Sequence, residues 1–81
     1  MATELEIYQA LSEIFQDVFM REVPLHAELT ARDVAGWDSF KQIEIVMAVE
    51  ERFAIRLTTR ELDSLQCVGD LVRVVATKLP H

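Results

Sequence analysis

Two glycines and two prolines are all that interrupt 81 residues, and that scarcity removes most folds. An all-β chain of this length needs many tight turns, most of them built on residues with unusual or fixed φ. A bundle of helices needs few. The apolar spacing agrees: Leu5, Tyr8, Leu11, Ile14, Phe15, Val18 and Phe19 recur at helical intervals. Ahead of them Thr3-Glu4-Leu5-Glu6 reads as a capping box, with Thr3 as N-cap and Glu6 reaching back to its N–H. This first helix is predicted to fade near Phe19 or Met20, ahead of Pro24.

A second helix is announced by Gly36-Trp37-Asp38-Ser39-Phe40 and runs without a break to Phe53. Asp38 is a good N-cap, because its carboxylate can accept from first-turn N–H groups. Ser39 then lies where unpaired N–H groups and the positive end of the helix dipole favour a phosphate. The helix has two apolar arcs instead of one. Val46, Val49 and Phe53, flanked by Ile45, form an ordinary core face. On the opposite arc Phe40 and Met47 alternate with Glu44 and Glu51, as a docking surface would.

Between these helices, Val23 to Gly36 has no sustained period and reads as a long loop with room for one turn at Thr30-Ala31-Arg32-Asp33. Leu25, Leu29 and Val34 are its expected anchors, and a loop this long in a small domain is often functional. Trp37 is expected to pack on the bundle and not on a ligand. After Phe53, Ala54-Ile55-Arg56-Leu57 reads as an extended linker, and Thr58 to Glu61 as a second capping box. A short helix contacting the core through Leu62 and Leu65 follows. The last helix is predicted to start near Val68-Gly69-Asp70 and to present Val68, Leu71, Val72, Val74, Val75 and Leu79 until Pro80 stops it. Beta-branched residues form helices only moderately well, so packing must hold this segment.

The expected fold is therefore all-α: a small four-helix bundle, three long helices and one short, with a long loop between the first two. Residues 1–81 read as one domain, and both ends as natural termini. An apolar fraction of 51% against 27% charged is a globular balance, not a disordered one. Fourteen acidic against eight basic residues leave a net charge of −6, which argues against nucleic acid and anionic membranes. A basic patch on a protein is the natural complement. One cysteine, Cys67, makes no intramolecular disulfide, the first residues lack a signal-peptide core, and no apolar run would span a bilayer. A cytoplasmic monomer is the expectation.

The Asp38-Ser39-Phe40 triplet, the Glu44/Met47/Glu50/Glu51 stripe and the Val68-Gly69-Asp70 start resemble the acyl carrier protein family over nearly the whole chain. In that family a serine in an Asp-Ser-Leu signature receives 4′-phosphopantetheine from coenzyme A. The resemblance implies a carrier that catalyses nothing. Ser39 would be the attachment point and Asp38 a contact for the phosphopantetheinyl transferase. Phe40, Glu44, Met47, Glu50 and Glu51 would meet basic docking patches on acyl-transferring or acyl-activating enzymes. A thioester cargo would fold back among Val46, Val49, Leu57, Leu62, Leu65 and Val68, for each of which plain core is the competing reading. Fatty-acid, polyketide or a specialised acyl pathway would all use such a carrier.

Several positions depart from the family pattern. Phe40 replaces leucine, Lys41 puts a positive charge where relatives carry an acid, Gln66-Cys67 stands where the last helix is often capped by threonine, and Gly36-Trp37 replaces smaller residues. Two other functions compete: a peptidyl or aminoacyl carrier, and an unmodified acidic helical module in which Ser39 is only part of a cap. A thiol nucleophile built from Cys67 and His26 lacks a supporting Asn or Asp, and His26 and His81 are too few for a metal site.

Overall fold

The computed structural model describes residues 4–79. Thr3, the first half of the N-terminal capping box, and the stop at Pro80 lie outside the described residues. Among the described residues there are four α-helices and no strand: α1 (Glu4–Phe19), α2 (Ser39–Phe53), the short α3 (Thr59–Asp63) and α4 (Val68–Lys78). A 3-10 turn, Ala31–Asp33, sits in the long loop between α1 and α2. Both α2 and α4 pack on α1.

That double contact sets which face of α1 is buried. Ile7, Leu11 and Phe15 are fully enclosed and Ala10 and Ile14 nearly so. The expected stripe is therefore turned: Leu5 is 66% exposed and Tyr8 only half-buried. The line of residues four apart through Ile7 lies between the two partner helices, whereas Leu5 falls on the solvent side. Across the core stand Ile45 and Val49 from α2 and Val68, Val72 and Val75 from α4. Ile45, expected only to flank the α2 core face, is at its centre with no exposed area.

The chain leaves α1 through Met20, which adopts a left-handed conformation (φ 58°) costly for a residue with a side chain. The Lys41 ammonium donates to the Val18 carbonyl at 3.2 Å, meeting one of the acceptors that a helix end leaves unpaired. Arg21 donates to the Ala35 carbonyl at 2.9 Å and lies over the Phe19 ring. Val23, Leu29 and Val34 bury the loop onto the core, with Leu25 only half-buried.

The same loop caps α4. Cys67 is the N-cap but its side chain caps nothing; instead Val68 N–H donates to Leu29 O and Gly69 N–H to Ala27 O, both at 2.9 Å. The backbones approach so closely that a Cβ at position 69 would stand 3.0 Å from Ala27 O and 3.1 Å from its Cβ. Gly69→Ala is accordingly expected to lower stability by about 1 kcal/mol, the overpacking outweighing the gain in helix propensity. The shift of the urea midpoint checks this, and a stabilised variant would contradict it.

Around α3 the second capping box forms as the sequence predicts: Thr58 N–H donates to Glu61 Oε1 (2.8 Å), and Glu61 N–H donates to Thr58 Oγ1 (3.2 Å). Lys78 Nζ reaches Glu61 Oε1 at 2.9 Å, tying α4 to α3. Gln66 N–H donates to Asp70 Oδ2 at 3.0 Å. The Thr58 amide, and then Lys78, hold the Glu61 carboxyl below its ordinary pKa; the Gln66 amide does so for Asp70, against the opposing effect of burial. A carboxyl with a depressed folded-state pKa contributes stability above its unfolded pKa and loses it as pH falls through the folded value. The thermal midpoint should thus fall on acidification below about pH 4. The double variant Glu61→Gln, Asp70→Asn should show a flatter acid limb than the parent.

Candidate functional site

Gly36 turns the loop with φ +88°, a conformation that suits glycine and few other residues. The turn lets Trp37 N–H reach the Val34 carbonyl at 3.2 Å and delivers Trp37 into the bundle. There its indole stands edge-on to Phe15 (centroids 5.2 Å, 87°) and packs against Phe19 at 6.2 Å. Its Nε1–H donates to Gln42 Oε1 at 2.8 Å. Trp37 is therefore a bundle residue, as expected, but it also lines the cleft described below.

Asp38 follows in an extended conformation and caps α2, its Oδ1 accepting the Lys41 N–H at 2.9 Å. Ser39 is the first residue of α2 and is exposed. Its N–H and that of Phe40 belong to the first turn, where a helix supplies no internal acceptor. Among the described residues the Ser39 hydroxyl has no hydrogen-bond partner. The serine borders an open, mostly apolar cleft of about 770 Å³ between α2 and α3, walled by Trp37, Ile43, Val46, Met47, Leu62 and Leu65.

On the outer face of α2, Phe40 (78% exposed) and Met47 (63%) lie open to solvent, with Glu44 and Glu51 exposed beside them. Ile43, 56% exposed, joins that apolar surface and also lines the cleft. Its place next to Met47 on the helix circumference was the available signal. Glu50 borders a hollow with Met47 and Glu51 at one edge of this face, but it is not as open to a partner as expected. It is half-buried, and its Oε2 accepts the Leu57 N–H at 2.9 Å. The cause is the end of α2: Ala54 turns left-handed (φ 56°) and Ile55 N–H closes onto Glu50 O, folding the linker back over Glu50. Lys41 donates to Val18 O and also pairs with Glu44 at 3.8 Å, so it offsets part of the stripe's negative charge, as expected.

The candidate cargo residues divide. Val46, Leu62 and Leu65 line the cleft. Val68 lines a smaller hollow of about 50 Å³ behind it. Val49 and Leu57 line neither: Val49 is fully enclosed in the α1–α2 core, and Leu57 packs against that core from the linker. Cys67 is half-buried at the start of α4, and His26 pairs with Glu28 at 3.4 Å. Among the described residues no three of His, Cys, Asp and Glu converge on a point that could hold a metal ion, and no helix is long and apolar enough to cross a membrane.

A family model described as "Phosphopantetheine attachment site" matches residues 9–75. An acyl carrier protein of Acidothermus cellulolyticus is 33% identical over 72 residues, which cover 88% of this chain and 86% of that one. The chain belongs to the acyl carrier protein family. An acyl carrier protein of Exiguobacterium sp. is 38% identical over 53 residues, covering 65% of this chain and 67% of the relative. The solution structure of a holo acyl carrier protein from Geobacter metallireducens superposes with a TM-score of 0.82 at 34% identity, covering 86% of this chain and 82% of that one. As a family member the chain is a carrier of acyl groups and not a catalyst, and its prosthetic group is covalently attached 4′-phosphopantetheine. The residues present suit that group. An exposed serine hydroxyl without a partner, unpaired N–H groups for a phosphate, and an apolar cleft alongside occur together at one helix end.

Proposed function

We propose that Ser39 is the attachment point and that the cleft beside it shelters the acyl cargo. The observation that carries the reading is the exposed, unpartnered Ser39 hydroxyl at the first turn of α2, bordering the apolar cleft. Ser39 Oγ attacks the pyrophosphate of coenzyme A on a phosphopantetheinyl transferase. The new Oγ–phosphorus bond forms as the pyrophosphate P–O bond breaks, adenosine 3′,5′-bisphosphate leaves, and the hydroxyl proton passes to a base of the transferase. The first-turn N–H groups and the helix dipole then favour the resulting phosphodiester anion. Asp38 holds the helix start with Oδ1 and keeps Oδ2 for the metal ion of the transferase. Once attached, the group supplies a thiol that holds an acyl chain as a thioester.

Partner enzymes with basic patches meet Glu44 and Glu51, with Phe40, Ile43 and Met47 as the apolar contact. Exposed charges govern encounter and selectivity more than tight binding, which suits a carrier that must also leave. Glu50 serves instead as a brace for the α2–α3 linker. The net charge of −6 disfavours self-association, so the carrier works as a monomer. A reducing compartment such as the cytoplasm suits its lone thiol. The test is intact mass after incubation with coenzyme A, Mg²⁺ and a broad-specificity transferase. A gain of one phosphopantetheine is expected. No gain from folded protein with several transferases would overturn the assignment of Ser39.

A further inference from the structure

A polar pair stands where the cleft beside Ser39 meets a second, smaller hollow. Ala31, Trp37, Gln42 and Leu65 border both the cleft and the 50 Å³ hollow behind it, which continues to Val68 and Leu71. Two of those shared residues, Trp37 and Gln42, are joined by the part-buried 2.8 Å hydrogen bond from indole N–H to amide oxygen. Neither partner is loose. Phe15 and Phe19 brace the indole, and Gln42 is rooted in the first turn of α2, its N–H bonded to Asp38 O at 2.9 Å. An alkyl chain that pushed between them would leave the indole N–H without an acceptor, and it offers none in return.

We infer that the Trp37–Gln42 pair is the floor of the acyl cleft and sets the longest straight-chain acyl group that this carrier shelters. The inference rests on the reading of Ser39 and the cleft given above. Chains that end in the outer cleft are held along their whole length; carbons beyond the floor gain no further burial. The hollow, about 50 Å³ against about 770 Å³ for the cleft, adds little unless the pair is removed.

The experiment loads the parent, Gln42→Ala and Gln42→Glu with straight-chain acyl-phosphopantetheine groups from butanoyl to tetradecanoyl, using a transferase and the acyl-coenzyme A thioesters. Two quantities are read: the thermal midpoint and the emission of Trp37, the one tryptophan in the chain. In the parent the midpoint should rise with chain length and then level off. In Gln42→Ala the plateau should come about two to four carbons later, as the hollow and the vacated side-chain volume join the cleft. Trp37 emission should keep changing over those added carbons in Gln42→Ala and not in the parent. Gln42→Glu retains an acceptor for the indole and should restore the parental plateau length. The same plateau in the parent and Gln42→Ala would overturn the floor while leaving the sheltered cargo intact. No rise at any length in either protein would remove the sheltered-cargo reading, and the floor with it.

Discussion

Ser39→Ala protein should keep its unmodified mass after incubation with coenzyme A, Mg²⁺ and a transferase that loads the parent completely. Alanine has no oxygen to attack the pyrophosphate. The fold should scarcely respond, because the cap of α2 is the Asp38 carboxylate on Lys41 N–H and not the serine. Ser39 is exposed, and alanine is the better helix former, so the urea midpoint should move by no more than about 0.5 kcal/mol in stability. This pairing of total loss with an unchanged fold is what separates an attachment site from a cap. Loading of Ser39→Ala would move the site to another hydroxyl, Ser12 and Ser64 being the other serines.

Phe15→Ala should cost about 3–5 kcal/mol, the range for removing a fully enclosed phenyl ring from a core that cannot collapse around the gap. Domains of this size have stabilities of the same order, so a large part of the population should unfold at room temperature in water. Phe15 sits where α1, α2 and the Trp37 turn meet, tilted against Phe19 at 5.8 Å and edge-on to Trp37 at 5.2 Å. Its loss should therefore also shift Trp37 emission toward that of a solvated indole. Urea unfolding followed by circular dichroism and by fluorescence checks both statements. A change below about 1 kcal/mol would mean that the core repacks around the gap.

Helix positions and ends were largely legible in the sequence, because they depend on near neighbours. Asp38 and the Thr58–Glu61 box act within three residues of themselves, and α1 ends where the spacing stops, at Phe19. The features on which the Ser39 proposal rests were legible for the same reason: an N-cap, a first-turn hydroxyl and a mixed apolar and acidic arc all belong to one helix. Periodicity was less reliable about which residues within a stripe are enclosed. It favoured Leu5 over Ile7 because a wheel cannot show that two helices pack on α1 from different sides.

The one-helix reading failed where a second segment takes up a side chain. Glu50 belongs by spacing near the acidic stripe, yet the folded-back linker presents Leu57 N–H to it. Lys41 stays 3.8 Å from Glu44, yet its ammonium is shared with the unpaired carbonyl at the end of α1. Val49 and Val46 are both valines on one helix. Only the placement of α3 makes Val46 a cleft wall and leaves Val49 in the core.

By itself, then, the sequence determined four helices, their order, the caps of α2 and α3 and an exposed serine at the head of α2. Those follow from propensities and hydrogen bonds within a few residues. Tertiary structure alone decided that the serine borders a cleft, that the bonded Trp37 and Gln42 line both this cleft and the small hollow, and that the long loop caps α4 through Ala27 and Leu29. Each of these needs groups distant in the chain brought within hydrogen-bond or van der Waals range, and no local pattern of residues encodes such a distance.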